Sequence, residues 1–112
     1  MEELIDLGGA EARLEEVSDA SGVLVLKLTG ELDLSNVGSF RAAIDATYGH
    51  GLDRIVFDLS GLKFMDSSGL AMFIAIAERV ETVELRNPQP IIRRIIELTG
   101  LSDVLVLTPG GT

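Results

Sequence analysis

The sequence predicts an α/β domain on a mixed sheet, with the element order β-β-α-β-α-β-α-β. Three observations lead there. Two strand-length stretches, Val23–Leu28 and Arg54–Leu59, are almost continuously apolar or apolar and β-branched at their centre, as in strands buried within a parallel sheet. Segments with apolar residues at helical spacing lie between and after them, opened by capping residues or closed by glycine. The chain has 112 residues, 46% hydrophobic and 24% charged, a composition and size that support a single core without staples.

Taken in order, residues 1–10 read as a weakly ordered lead-in broken at Gly8-Gly9. Ala12, Leu14 and Val17 suggest a short, irregular first strand, and Asp19-Ala20-Ser21-Gly22 a hairpin turn. Val23–Leu28 is expected as a central strand covered on both faces. Ser35 is expected to cap a helix with Val37, Phe40, Ile44 and Tyr48 on one stripe, stopped by Gly49 and Gly51. The strand Arg54–Leu59 leads into a loop from Ser60 to Met65. A helix over about Ser67–Val80 follows, with Leu70, Phe73, Ile74 and Ala77 toward the core, and then a short strand, Thr82–Leu85. Asn87 should cap the third helix, with Pro88 in its first turn and Ile91, Ile92, Ile95 and Ile96 on its apolar face. Gly100 occupies the position of a left-handed C′ residue, with Leu101 supplying the hydrophobic contact after it. Val104–Leu107 is the last strand, and residues 109–112 form a tail. Strands joined by helices should run parallel through right-handed crossovers, with the opening hairpin antiparallel.

Composition excludes several function classes. Eighteen acidic residues against nine basic ones give a formal charge of −9, which repels nucleic acid and anionic membrane. Without cysteine there is no disulfide, thiol catalysis or cysteine zinc site. One histidine, His50, cannot build a multi-histidine metal site, and it reads as a loop residue on the edge away from the candidate site. The longest apolar run, Leu70–Ala77, is too short to span a bilayer. The acidic N-terminal segment does not read as a signal peptide, so a cytoplasmic location is expected.

Candidate chemistry gathers where strands end. Asp66-Ser67-Ser68-Gly69 stands at a strand-to-helix transition. Read locally it is an N-cap, with Asp or Ser accepting from an orphan helical N–H. The same geometry puts a hydroxyl at the positive end of a helix dipole, where a phosphate is tolerated; the two readings are compatible. Gly30-Glu31-Leu32-Asp33 leaves the other long apolar strand. Parallel strands deliver their carboxyl ends to one edge, so Asp33 and Asp66-Ser67 are expected on one rim. Asp33 is also a natural turn or cap residue, and Asp58 reads as bonding its adjacent loop backbone. Asp33, Asp58 and Asp66 could hold Mg²⁺ in principle. However, the sequence contains no nucleophile elbow, no phosphate-binding glycine loop and no placed base, and it reads as a non-enzyme.

Gly30-Glu31-Leu32-Asp33, Asp58-Leu59-Ser60-Gly61-Leu62 and Phe64-Met65-Asp66-Ser67-Ser68-Gly69-Leu70, in that order, resemble the STAS domain. The tail from Asn87-Pro88-Gln89-Pro90 to Leu98-Thr99-Gly100-Leu101 resembles stand-alone bacterial members, the anti-sigma factor antagonists. The resemblance covers about residues 12 to 107. The expected architecture is then a single STAS-like domain over residues 11–108, with helices packed mainly on one face of the mixed sheet.

The resemblance also implies a regulatory cycle. An unphosphorylated antagonist binds an anti-sigma factor that is also a serine/threonine kinase, and so frees the sigma factor. The kinase phosphorylates the serine after the motif aspartate, here Ser67, and a PP2C-type phosphatase restores the active form. Asp33 matches the aspartate thought to support phosphorylation. Asp66, Ser68, Gly69 and Glu31 complete the expected partner-binding rim. ATP and Mg²⁺ would be held by the kinase, so no cofactor is expected here. The alternative is a STAS scaffold, never phosphorylated, within a signalling or transport assembly. One departure from the family pattern stands out: almost no loop separates the helix expected to end at Val80 from the strand at Thr82.

Overall fold

Each strand of the sheet pairs with the strand before it in the chain. The computed structural model describes residues 3–6, 12–18, 24–48, 54–101 and 104–108. In chain order the elements are β1 (Glu3–Asp6), β2 (Ala12–Ser18), β3 (Leu24–Leu32), α1 (Val37–Tyr48), β4 (Arg54–Met65), α2 (Ser67–Ala77), β5 (Thr82–Arg86), α3 (Pro90–Leu98) and β6 (Leu105–Thr108). The six strands are ordered β1-β2-β3-β4-β5-β6. The first two pairings are antiparallel and the remaining three parallel. All five strands and three helices of the expected order are present. β1 is additional and falls in the segment expected to be weakly ordered. Its four residues pair Glu3 with Glu16 through Asp6 with Arg13, engaging the edge that β2 would otherwise leave open. The expected hairpin turn Asp19–Gly22, Gly49, His50, Gly51 and residues 109–112 lie outside the described residues.

Sequential strand order settles where the helices go. Right-handed crossovers that all step the same way along a sheet put every helix on the same face. One core cluster accordingly joins Phe40 and Ile44 of α1, Phe73 and Ile76 of α2 and Ile92 and Ile96 of α3 to the inward residues of the sheet, including Leu26, Leu28, Phe57, Leu85 and Leu105. Phe40, Phe57 and Phe73 meet at centroid distances of 5.1–6.3 Å, fixing α1 and α2 on β4. The expectation that β3 is covered on both faces is therefore corrected: helices cover only one. On the other face Val25 and Val56 are still buried, at 6% and 0% exposure, beside a row of alternating charge through Glu15, Lys27, Asp58 and Arg86.

Several boundaries differ from expectation for local reasons. The loop expected from Ser60 to Met65 is strand: β3 and β4 stay paired to Leu32↔Met65, with register shifts between Lys27 and Thr29 and between Gly30 and Glu31. Gly30, at φ 95°, supplies the left-handed backbone that the second shift uses. α2 ends at Ala77, three residues before Val80. The short connection is thus made at the helix's expense, by a turn in which the Glu78 and Arg79 amides donate to Ile74 and Ile76. Asn87 does not cap α3: it sits at φ 57° and its amide donates to Thr108 O at 2.7 Å. Gln89 is the N-cap, Pro90 begins the helix, and Ile91 is 60% exposed and leaves the expected apolar face. Gly100, at φ 73°, takes the expected left-handed conformation, and Leu101 packs against the core.

Candidate functional site

The site lies where β3 and β4 end side by side. Leu32 and Met65 are register partners, so the next residues, Asp33 and Asp66, leave adjacent strands at one edge. The Asp66 amide donates to Leu32 O at 3.2 Å, tying the two exits together. The sequence-based expectation of a shared rim therefore holds as geometry.

Asp66 is the N-cap of α2. Its backbone is extended (φ −95°, ψ −173°) and its Oδ1 accepts from the amides of Ser68 at 2.9 Å and Gly69 at 3.3 Å, two orphan donors of the first turn. The Ser68 hydroxyl donates to the same oxygen. That hydroxyl holds the Asp66 carboxyl below its ordinary value of 3.8; burial opposes the shift, and backbone contacts with Gly69, Ser68 and Leu34 reinforce it. Asp66 therefore remains ionised well into the acid range. Gly69 is buried, and a Cβ there would stand 2.5 Å from Met65 Cγ and 3.1 Å from Leu32 Cδ2. Only glycine lets α2 approach the end of β3 so closely.

These contacts separate the two serines. Ser68 is half-buried and bonded to Asp66. Ser67, the first residue of α2, is exposed, and its hydroxyl has no hydrogen-bond partner among the described residues. Its hydroxyl stands at the positive end of the helix.

On the β3 side, the expected cap Ser35 is corrected, because α1 begins at Val37. Asp33 organises the turn: its Oδ1 accepts from the Ser35 amide at 2.8 Å and from the Ser35 hydroxyl. The amides of Asn36 and Val37 donate to Asp33 O at 3.1 and 3.0 Å. Asn36 was missed by sequence reasoning. Its side chain is fully buried, accepts from the Asp33 amide at 3.0 Å and donates to Glu31 O at 2.9 Å. Its only signal was a polar residue just before a helical stripe, which reads equally as a cap. Glu31 is exposed on the same rim, in register with Phe64.

Asp58 bonds its own loop as expected, accepting from the Ser60 amide at 3.0 Å. Asp33, Asp58 and Asp66 are each engaged locally, and among the described residues no group of three or more metal-ligating side chains converges. A groove of about 240 Å³ between α1 and α2, lined by Val37, Gly38, Arg41, Ser68, Ala71 and Met72, opens beside Ser68. No helix among the described residues is long and apolar enough to cross a membrane.

A model of the STAS domain matches residues 15–110. The chain belongs to the STAS domain family. Among STAS relatives, the anti-sigma F factor antagonist of Lysinibacillus sphaericus is 37% identical over 83 residues, spanning 70% of this chain and 71% of that protein. The crystal structure of an anti-sigma factor antagonist from Mycobacterium paratuberculosis superposes with a TM-score of 0.77 at 29% identity, over 88% of this chain and 86% of that one. SpoIIAA, an anti-sigma factor antagonist, is similar in its unphosphorylated form, with a TM-score of 0.66 at 25% identity over 84% of this chain and 86% of that one. Its phosphorylated form, described as a Bacillus cell fate determinant, gives 0.59 at 25% identity over 84% and 89%. These STAS structures share the α/β sandwich of mixed sheet and helices found here.

Proposed function

We propose that this STAS domain is an anti-sigma factor antagonist whose unphosphorylated form binds an anti-sigma factor that is also a serine kinase, and whose binding is switched off by phosphorylation of Ser67. The observation that carries this reading is the different state of two adjacent hydroxyls: Ser68 is held by Asp66, while Ser67 is exposed and unengaged at the start of α2. The names of its relatives, and the existence of SpoIIAA in phosphorylated and unphosphorylated forms, support the same cycle. ATP and Mg²⁺ belong to the kinase, and a PP2C-type phosphatase would reverse the modification.

The switch follows from local electrostatics. A phosphate adds about −1.5 to −2 charges beside Asp33 and Asp66. The N-terminus of α2 offsets part of that charge within the domain, so the fold is retained while the surface changes. A partner surface shaped for a neutral hydroxyl then meets extra bulk and an unpaired dianion. A loss of about 2–3 kcal/mol weakens binding roughly 30- to 150-fold. Ser67→Ala is expected to bind the anti-sigma factor whether or not ATP is supplied, and Ser67→Asp to bind weakly, as read by calorimetric titration. Equal affinities of the two variants would rule out the switch. Mass spectrometry after incubation with the kinase and ATP should find a single phosphate, on Ser67; a chain that binds but is never labelled is the scaffold instead.

A further inference from the structure

We propose that Leu34 and Phe64 are the apolar anchors of the partner-binding rim, and that they fit a protein surface whose apolar pocket is bordered by lysine or arginine side chains. The inference rests on the antagonist reading and adds which residues grip the partner and what the partner presents. Leu34 is 78% exposed and Phe64 48%. Isolated exposed apolar residues are ordinary, but these two lie next to the paired strand ends Leu32 and Met65, from which Asp33 and Asp66-Ser67 leave the sheet. Leu34 directly follows Asp33, and its backbone contributes to holding the Asp66 carboxyl ionised. Phe64 stands two residues before Asp66 and is the register partner of Glu31.

Both side chains project from fixed backbone. The turn beneath Leu34 is closed by the Asp33, Ser35 and Asn36 bonds, and Phe64 is held in the β3–β4 ladder. Side chains on backbone already fixed in place need less ordering on binding, and exposed apolar side chains that leave water at an interface favour it through burial. Glu31 is the register partner of Phe64, Asp33 precedes Leu34 and Asp66 follows Phe64 by two residues, three carboxylates against the exposed Lys63 beside Phe64, on a chain of charge −9. Charge complementarity therefore selects a basic-rimmed protein pocket and opposes an anionic membrane, the other surface that accepts exposed Leu and Phe. Ser67 begins α2 directly after Asp66, so its phosphate is added at the same edge.

The test titrates the purified wild-type chain, Leu34→Ala, Phe64→Ala, Glu31→Gln and a control, Leu98→Ala, against each anti-sigma kinase of the source genome, at low and high salt. Leu98 is 73% exposed on α3, so its truncation also removes exposed apolar area. Leu34→Ala and Phe64→Ala should each weaken binding on the order of tenfold or more, with unchanged thermal midpoints, while Leu98→Ala binds as wild type. Glu31→Gln should bind more weakly at low salt, with a smaller salt dependence. Wild-type binding that both anchor truncations leave intact overturns the inference while the antagonist reading stands. A wild-type chain that binds no anti-sigma kinase overturns both. Sedimentation with vesicles containing phosphatidylserine should leave the chain in solution; vesicle binding lost in Leu34→Ala would assign the anchors to a membrane and overturn the proposal. Should Phe64→Ala lower the thermal midpoint, the far more exposed Leu34 decides the outcome.

Discussion

Asn36 supports the acidic rim from beneath the surface. Its amide side chain satisfies the Asp33 N–H and the Glu31 carbonyl from a fully buried position. Alanine there leaves both backbone groups without their partner, at a cost of about 1–3 kcal/mol. Asn36→Ala should therefore lower the urea midpoint and speed amide hydrogen exchange at Asp33 and its neighbours. The contacts of Asp58 and Asp66 were legible in the sequence because an Asx side chain reaches amides only two or three residues ahead, a distance written in the chain itself. Asn36 bonds backward across the end of β3, and nothing about an asparagine before a helical stripe separates that role from capping. Leu34 and Phe64 were overlooked because apolar residues near a loop read as incidental until their exposure is known.

Among the elements, α2 is set by how closely it can approach β3. Gly69 faces Met65 and Leu32, which are 4% and 0% exposed, so neither side chain has room to retreat. Gly69→Ala is expected to cost about 1–3 kcal/mol through overpacking and to shift the N-terminus of α2. The checks are a lower thermal midpoint and slower phosphorylation of Ser67 by the kinase. A variant with unchanged stability would mean that the helix start adjusts freely. The helices were readable from their apolar stripes, because 3.6-residue periodicity is a local property. The extension of β4 through Ser60-Gly61 was not: that pair signals a turn, and only the continuing β3 ladder beside it keeps the segment extended. The early end of α2 and the start of α3 at Pro90 were obscured similarly, because an Asn-Pro pair reads as a helix start when the neighbouring β6 strand is not in view.

Across the whole molecule, the helix-free face carries two rows that run from strand to strand. One passes through Val17, Val25, Val56, Glu84 and Val106, and the next through Glu15, Lys27, Asp58, Arg86 and Thr108. Opposite charges on neighbouring strands favour this register. Glu84, only 5% exposed, accepts from Arg54, Arg86 and Thr108 and so joins β4, β5 and β6. Burial alone would raise its pKa, but the bonds from Arg54, Thr108 and Arg86 outweigh it and leave the value below the ordinary 4.5. A depressed carboxyl stabilises the fold fully above its ordinary value and loses that contribution as pH falls through the lower folded value. Glu84→Gln should therefore be less stable than wild type at neutral pH and lose less stability on acidification below about pH 4.5, as read by urea midpoints across the acid range. The residual acid slope belongs in part to Asp66, whose pKa is shifted the same way. The one-sided helix layer was expected from the family resemblance, whereas the ion network was not, since a single glutamate in Thr-Val-Glu-Leu reveals its partners only once three strands are aligned. The strand order has a further consequence, for synthesis. Every strand after β1 pairs with the one made just before it, so as the chain leaves the ribosome from its N-terminus each new strand finds one neighbour already made. The rim is encoded between Glu31 and Gly69, and its parts are all translated before β5 and β6. The rim proposed to meet a partner is therefore made before the last two strands of the sheet.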